Sequence, residues 1–390
     1  MKIALYSNYF NHHQRPFSEA MRRALGSGYH FIETEAISQE RLSLGWKQEK
    51  ADYIIQAYEN PEREAYAKTV ALDADVVILG SAPDEYMTPR LKKNRLTFRY
   101  AERFYKQGLG IKNIFHAAGS AWPHHGRVQK YPLYILCASA YTALDCSVFG
   151  NYKNKTYKWG YFPELKKYDV DELLAEKSKN ARVNILWAGR FLDWKHPEAA
   201  VLLAEQLRAD GYEFELNIIG SGDLEQQLRD MISEKQLGER IHMLGAMKPE
   251  EVRRHMEKAD IFLFTSDFNE GWGAVLNEAM NSGCAVVASH AIGSVPFLVK
   301  HRENGVIYLN GDQEALYAEV RALLDDPQMR KSYGANAYKT ILETWNAEVA
   351  AKRLIKMVEE INAHGSCDLF EDGPCSRAPI IRNNWFNKYS

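Results

Sequence analysis

The chain has 390 residues, 46% of them hydrophobic and 26% charged, with a net charge of −2. Single cores stop growing near about 250–300 residues, so two domains are expected, and the composition excludes a disordered or fibrous chain. No apolar run reaches the roughly 18 residues of a membrane span.

The first residues, 1–7, are too short in their apolar part for a secretory signal and read as a buried strand. The loop that follows holds Asn11, His12 and His13 ahead of Pro16. It reads either as a ligand-contacting loop at a strand's carboxyl end or as a capping loop with solvated imidazoles. Further strands are predicted at 75–80 and at 111–117, the latter carrying His116. Between them, residues 89–105 interleave six Lys and Arg with apolar and aromatic residues. That pattern fits a basic amphipathic stretch on an anionic membrane surface, or a solvated helix face beside an anionic substrate. From Arg90 to Lys167 there are fifteen Lys and Arg against three acids. No nucleic-acid-binding motif accompanies this charge, so no nucleic-acid partner is expected. The adjacent His124 and His125 lack a third metal ligand. Five scattered cysteines fit reduced thiols in a cytoplasmic protein.

The rhythm breaks in a charged stretch before residue 183. The expected organisation is an N-terminal domain over 1–165, a linker over 166–182, a second domain over 183–345, and a crossing helix with its tail over 346–390 packed on the first domain. In the second domain strands are predicted at 183–188, 213–219, 260–264, 285–288 and 306–309. Helices are predicted at 197–209, 224–235, 249–258 and 313–324, and a last one at 347–363. Such alternation implies α/β domains with parallel sheets covered by helices.

Ligands of open α/β sheets bind beyond the carboxyl ends of strands. Arg190 and Lys195 follow the strand at 183–188 and suit a diphosphate, unless they are solvated loop cations. Gly220-Ser221-Gly222 follows the next strand and fits close ligand approach or simply a tight turn. The richest stretch is Phe264 to Gly283, which reads as strand end, loop and helix. Gly271, Gly273 and Ala274 stand at the helix start, where free amides attract anions. Glu270 before it can accept hydrogen bonds from sugar hydroxyls, and Glu278 one turn in can reach a ribose diol. The plainer alternative is two surface acids near a helix N-terminus.

Taken in order, Gly189-Arg190 with Lys195, Gly220-Ser221-Gly222, Glu270 with Glu278, Glu278-Ala279-Met280-x-x-Gly283 and Gly305 resemble the retaining glycosyltransferases of family 4, over roughly residues 183–309. The resemblance implies a GT-B fold, with two Rossmann-like doubly wound domains facing a cleft and a C-terminal helix crossing back. It implies that Arg190 and Lys195 neutralise the leaving diphosphate, that Glu270 holds the sugar and Glu278 the ribose, and that amides of Gly271, Trp272, Gly273 and Ala274 contact sugar and phosphate. Gly220 and the loop around Met247 belong to the donor side, the latter reading the base. His116 matches a family histidine near the transferred sugar, and Asn11, His12 and His13 stand where family members often have a Gly-Gly pair. Phe297 stands where an acid is common. No cofactor and no bound metal are implied.

The expected activity is therefore retaining transfer of a sugar from a nucleoside-diphosphate sugar, UDP- or GDP-linked, to a saccharide or lipid-linked acceptor. Its setting would be surface polysaccharide or glycolipid synthesis in the cytoplasm, with peripheral contact to an anionic membrane where the acceptor is lipid-linked. Alternatives are a sugar-nucleotide 2-epimerase, for which the N-terminal half shows no acidic cluster, and a non-catalytic nucleotide-sugar-binding scaffold.

Overall fold

A computed structural model describes residues 1–39, 50–106, 126–148 and 152–387. The strand predicted at 111–117, His116, His124 and His125 lie outside the described residues. The chain divides into two units, residues 1–164 with 346–382, and residues 165–345 with 383–390.

The first unit opens with β1 (Ile3–Ser7), α1 (Arg15–Leu25), β2 (Tyr29–Glu33), β3 (Ile54–Gln56), α2 (Pro61–Asp73) and β4 (Val76–Leu79). It continues with α3 (Thr88–Lys92), β5 (Thr97–Ala101), β6 (Leu133–Cys137), α4 (Thr142–Ser147) and β7 (Thr156–Lys158). These strands form one parallel sheet in the order β3-β2-β1-β4-β5-β6-β7. Its central strands β1, β4 and β6 are continuous apolar runs buried along their whole length, as a sheet covered on both faces requires.

The basic stretch at 89–105 is not one amphipathic helix. It breaks after α3 and enters the sheet as β5, where Thr97 and Phe98 are buried. Arg90 is wholly buried, its guanidinium donating to the carbonyls of Ala74, Asp75 and Leu96 and to Thr97 Oγ1. Arg103 is buried against Asp145, with 3.7 Å between Nε and Oδ1, and lies over the Tyr141 ring. Arg99 pairs with Asp84 at 2.6 Å. Arg90 and Arg103 are internal struts, and Arg99 is half-buried. Desolvation on that scale is tolerated only with partners of this kind.

The second unit starts earlier than the charge break alone implied. Lys166 N donates to Asn281 Oδ1 at 2.9 Å, and α5 (Val170–Lys177) packs within this unit. There follow β8 (Val183–Ala188), α6 (Glu198–Ala209), β9 (Phe214–Ile219), α7 (Glu225–Glu234), β10 (Ile241–Gly245), α8 (Pro249–Lys258) and β11 (Ile261–Phe264). Then come α9 (Val275–Asn281), β12 (Ala285–Ser289), α10 (Val295–Leu298), β13 (Val306–Tyr308), α11 (Gln313–Asp325) and α12 (Pro327–Glu343). The parallel order is β10-β9-β8-β11-β12-β13. A core of Ile185, Leu203, Leu207, Phe214, Leu263 and Leu316 fills the space between sheet and helices.

Lys177, buried at the end of α5, donates from Nζ to the carbonyls of Met256 (3.2 Å), Ala259 (2.6 Å) and Ser282 (2.8 Å). These carbonyls close the C-terminal ends of α8 and α9, where a cation meets both orphan acceptors and the negative helix pole. Burial pulls its pKa below the usual lysine range.

The last helix, α13 (Ala347–His364), is capped by Asn346, whose Oδ1 accepts from Val349 N at 3.0 Å, and ends at Gly365 in the left-handed region. It packs on α1 of the first unit. Cys367 and Cys375 are buried in the loop that follows. The tail then parts from that unit: residues 383–387 pack on the second one, around His290. No described helix is long and apolar enough to cross a membrane.

Replacing Lys177 by Met takes the ammonium donor from three buried carbonyls, of which that of Met256 keeps the Ala259 amide and the Cys284 thiol. It is expected to destabilise the second unit by about 2–4 kcal/mol, read as a lower denaturant midpoint in equilibrium unfolding.

Candidate active site

In both sheets the strand order reverses beside the first strand, between β1 and β4 and between β8 and β11. Loops leaving the carboxyl ends of those strands part to opposite faces and leave a crevice. In the second unit the two loops are residues 189–197 and 265–274.

They are tied together beneath the crevice. Thr265 Oγ1 donates to the Lys195 carbonyl at 2.7 Å and accepts from Trp187 Nε1 at 2.8 Å. Asp267 N donates to the Trp194 carbonyl at 2.9 Å. His196 takes a left-handed backbone (φ 49°), a costly conformation for a residue with a side chain. Its ring offsets that cost by bonding Glu198 Oε1 at 2.9 Å and standing 3.7 Å from Asp267 Oδ2. The hydrogen bond to Glu198, with the charges of Glu198, Asp267 and Asp193, raises the His196 pKa above its usual value.

On this support Lys195 Nζ meets Glu270 Oε2 at 2.6 Å, and Ser266 Oγ donates to the same oxygen at 3.1 Å. Both side chains are largely screened from water, at 14% and 11% exposure, so the pair is stronger than a surface ion pair. Lys195 Nζ also lies 4.5 Å from the Trp194 ring centre.

After Glu270 the chain turns sharply. Gly273 has φ 81°, and a Cβ there would sit 2.3 Å from Phe264 Cζ, so only glycine fits. Trp272 is buried, its Nε1 bonded to Asn277 Oδ1 at 2.9 Å, in a cluster with Phe297 and Trp345 whose ring centres are 5.8–6.3 Å apart. Phe297 is thus a core residue beneath the loop. Trp272 can meet a ligand only through its backbone. The amides of Gly271, Trp272, Gly273, Ala274 and Val275 donate to no group among the described residues. That row of free donors beside Lys195 and Glu270 can bind an anionic or hydroxylated ligand.

Glu278 is half-buried on α9. Burial pushes its carboxyl up to about 7, against the pull of Arg253 and Lys166. Arg190 is exposed and has no ion-pair partner among the described residues. Gly220 is required by protein packing: a Cβ would lie 1.8 Å from the Gly189 carbonyl oxygen. It lets the β9 loop approach the β8 loop. Met247, after β10, is half-buried and lines a shallow depression with Glu251, Arg254, His255 and Lys258.

In the first unit Asn11, His12 and His13 follow β1 at that sheet's own reversal. Asn11 Oδ1 accepts from His13 N at 3.0 Å and its carbonyl accepts from Gln14 and Arg15, so Asn11 builds the turn into α1. The His12 and His13 rings lie 3.9 Å apart and both are half-buried. Thr265, Ser266 and His196 went unremarked in the sequence, because a hydroxyl or a single imidazole carries no spacing signal. Among the described residues no three His, Cys, Asp or Glu side chains are grouped to hold a metal ion.

Two Rossmann-like units, the second carrying a cation–carboxylate pair and free amides at its strand reversal, define a protein of the GT-B class. Residues 171–340, within the second unit, match the family of glycosyl transferases group 1. The amylovoran biosynthesis glycosyltransferase AmsK of Erwinia amylovora is 30% identical over 184 residues, 46% of this chain and 45% of AmsK. A Campylobacter jejuni enzyme named as an N-acetylgalactosamine-N,N'-diacetylbacillosaminyl-diphospho-undecaprenol 4-alpha-N-acetylgalactosaminyltransferase is 27% identical over 44% of this chain and 45% of its own. The chain thus spans about half the length of the curated relatives it matches. HepE of Anabaena, solved in complex with UDP, shares the fold with a TM-score of 0.68 at 15% identity, over 92% of this chain and all of HepE.

Two measurements probe this geometry. Gly273→Ala forces a side chain onto Phe264 at positive φ and is expected to cost about 1–3 kcal/mol, measured by thermal or chemical unfolding. Because the folded pKa of Glu278 is raised, the folded state binds a proton that the unfolded state releases at lower pH. Its contribution to stability is favourable below the ordinary carboxylate range and is lost as pH rises to about 7. Glu278→Gln should flatten that part of the stability–pH curve relative to the unaltered chain.

Proposed function

We propose that the chain is a glycosyltransferase that moves a sugar from a nucleoside-diphosphate sugar, UDP- or GDP-linked, to a saccharide or lipid-linked acceptor with retention of anomeric configuration. The observation that carries this reading is the Lys195–Glu270 pair at the β8/β11 reversal, next to five amides that donate to no group among the described residues. A bound donor would divide the pair: the ammonium turns to the diphosphate, and the carboxylate accepts from sugar hydroxyls. Arg190, exposed in the same loop, adds a second cation for the leaving group. Fixed positive charge and amides then stabilise the diphosphate as the glycosidic bond breaks, the role a metal ion would otherwise take. No cofactor is needed in this scheme.

With the leaving phosphate taking the acceptor's proton, attack comes from the face it departs, and configuration is kept. Glu278 would hold the ribose, its carboxylate form accepting the diol hydrogen bonds. The loop at Met247 is the candidate reader of the base, the loop of Asn11, His12 and His13 the candidate acceptor side, and His116 the candidate catalytic residue beside the transferred sugar.

The names of AmsK and the Campylobacter enzyme support a setting in polysaccharide or glycolipid synthesis, and HepE's UDP supports the donor class. A lipid-linked acceptor implies work at the cytoplasmic face of a membrane. The exposed Lys92 and Lys93, rather than the buried Arg90 and Arg103, would meet anionic lipid.

Glu270→Ala is expected to lower transfer by at least about a hundredfold with an unchanged far-ultraviolet spectrum, measured with radiolabelled donor. Full activity in that variant would overturn the assignment. A thermal-shift panel of UDP- and GDP-sugars should show stabilisation by one donor class.

A further inference from the structure

The family match ends at residue 340, yet residues 383–386 return to the second unit at the loop after β12. His290, in the loop after β12, is nearly buried and fully engaged: its Nδ1 accepts from Asn310 N at 2.9 Å, and its Nε2–H donates to the Asn383 carbonyl at 3.0 Å. Trp385 Nε1 donates to the His290 carbonyl at 3.4 Å. Phe386, only 3% exposed, stacks on the His290 ring at 6.4 Å. His290 also meets Phe268 edge-to-face, at 5.5 Å and 86°. Phe268 lies two residues before Glu270, and Glu270's own carbonyl accepts from Gly293 N at 3.2 Å in the same β12 loop.

One imidazole therefore joins the chain's last segment to the loop that carries the sugar-holding carboxylate. We propose that Trp385 and Phe386 are positioning residues for donor binding: by bracing His290 they hold Phe268, and through it the 267–270 turn, in the conformation that presents Glu270 and the free amides. The proposal rests on the glycosyltransferase reading for its kinetic consequence but not for its structural one. A turn whose backing is removed samples other conformations, and apparent affinity falls by the fraction of time the competent one is lost. Aromatic contacts of this kind are individually modest, so the effect expected is a loosened loop in a folded domain.

The test compares the unaltered chain with a chain ended after Arg382 and with Phe386→Ala and Trp385→Ala. Hydrogen–deuterium exchange should quicken at residues 265–274 while α6 stays protected. The KM for UDP- or GDP-sugar should rise about tenfold with kcat within about twofold. Unchanged exchange and KM overturn the proposal. So does a fall in kcat at constant KM, which a merely structural role produces by lowering the active fraction. Should the shortened chain fail to fold, the two point variants carry the comparison. If the unaltered chain binds neither donor class, the functional reading fails, while the exchange measurement still decides whether the tail braces the loop.

Discussion

Everything at the candidate site depends on β8 pairing with β11 in parallel. Ile185 stands opposite Ile261 and Trp187 opposite Leu263, so two loops 70 residues apart in sequence leave the sheet side by side. The strands are held by apolar burial on both faces, and the loops by Thr265 and the Asp267 amide. A buried hydroxyl that both donates and accepts fixes their spacing more tightly than an exposed charge pair could. The ion pair of Lys195 and Glu270 is set on this frame and does not create it.

The loop after β11 meets opposing demands. It must expose unpaired amides, which costs stability, and it must hold one conformation. Gly273 permits the turn, and Trp272 anchors it by burying an indole against Phe297 and Trp345. An aromatic core directly beneath the turn is how the fold holds it in one conformation. His196 shows the same trade on the neighbouring loop, where two carboxylates compensate a left-handed backbone.

The strongly basic N-terminal half illustrates where charge counting misleads. Fifteen cations over 78 residues imply an anionic partner, yet Arg90 and Arg103 are consumed inside the unit. Arg90 collects carbonyls at the turn into β5, a task for which its planar fork of donors is suited. The alternation of cation and apolar residue at 89–105 belongs in part to a strand, whose period of two mimics an amphipathic mixture when read with a helical eye.

The sequence alone determined the two α/β domains and, to within a residue or two, strands β8, β9, β11, β12 and β13 and helices α6, α7, α8 and α11 of the second unit. Long apolar runs alternating with capped helices have few other ways to bury their surface, and glycines beside acids mark a strand-end loop. Strands β2, β3, β5, β6, β7 and β10 are not legible in the sequence, because short strands amid mixed neighbours carry too little periodicity. Tertiary structure alone decided that Lys195 faces Glu270, that Gly220 and Phe297 serve packing, that Arg90 and Lys177 are interior cations, and that Trp385 and Phe386 return to His290. Each of these is a contact between residues far apart in the chain, and no local pattern encodes which distant group a side chain will meet.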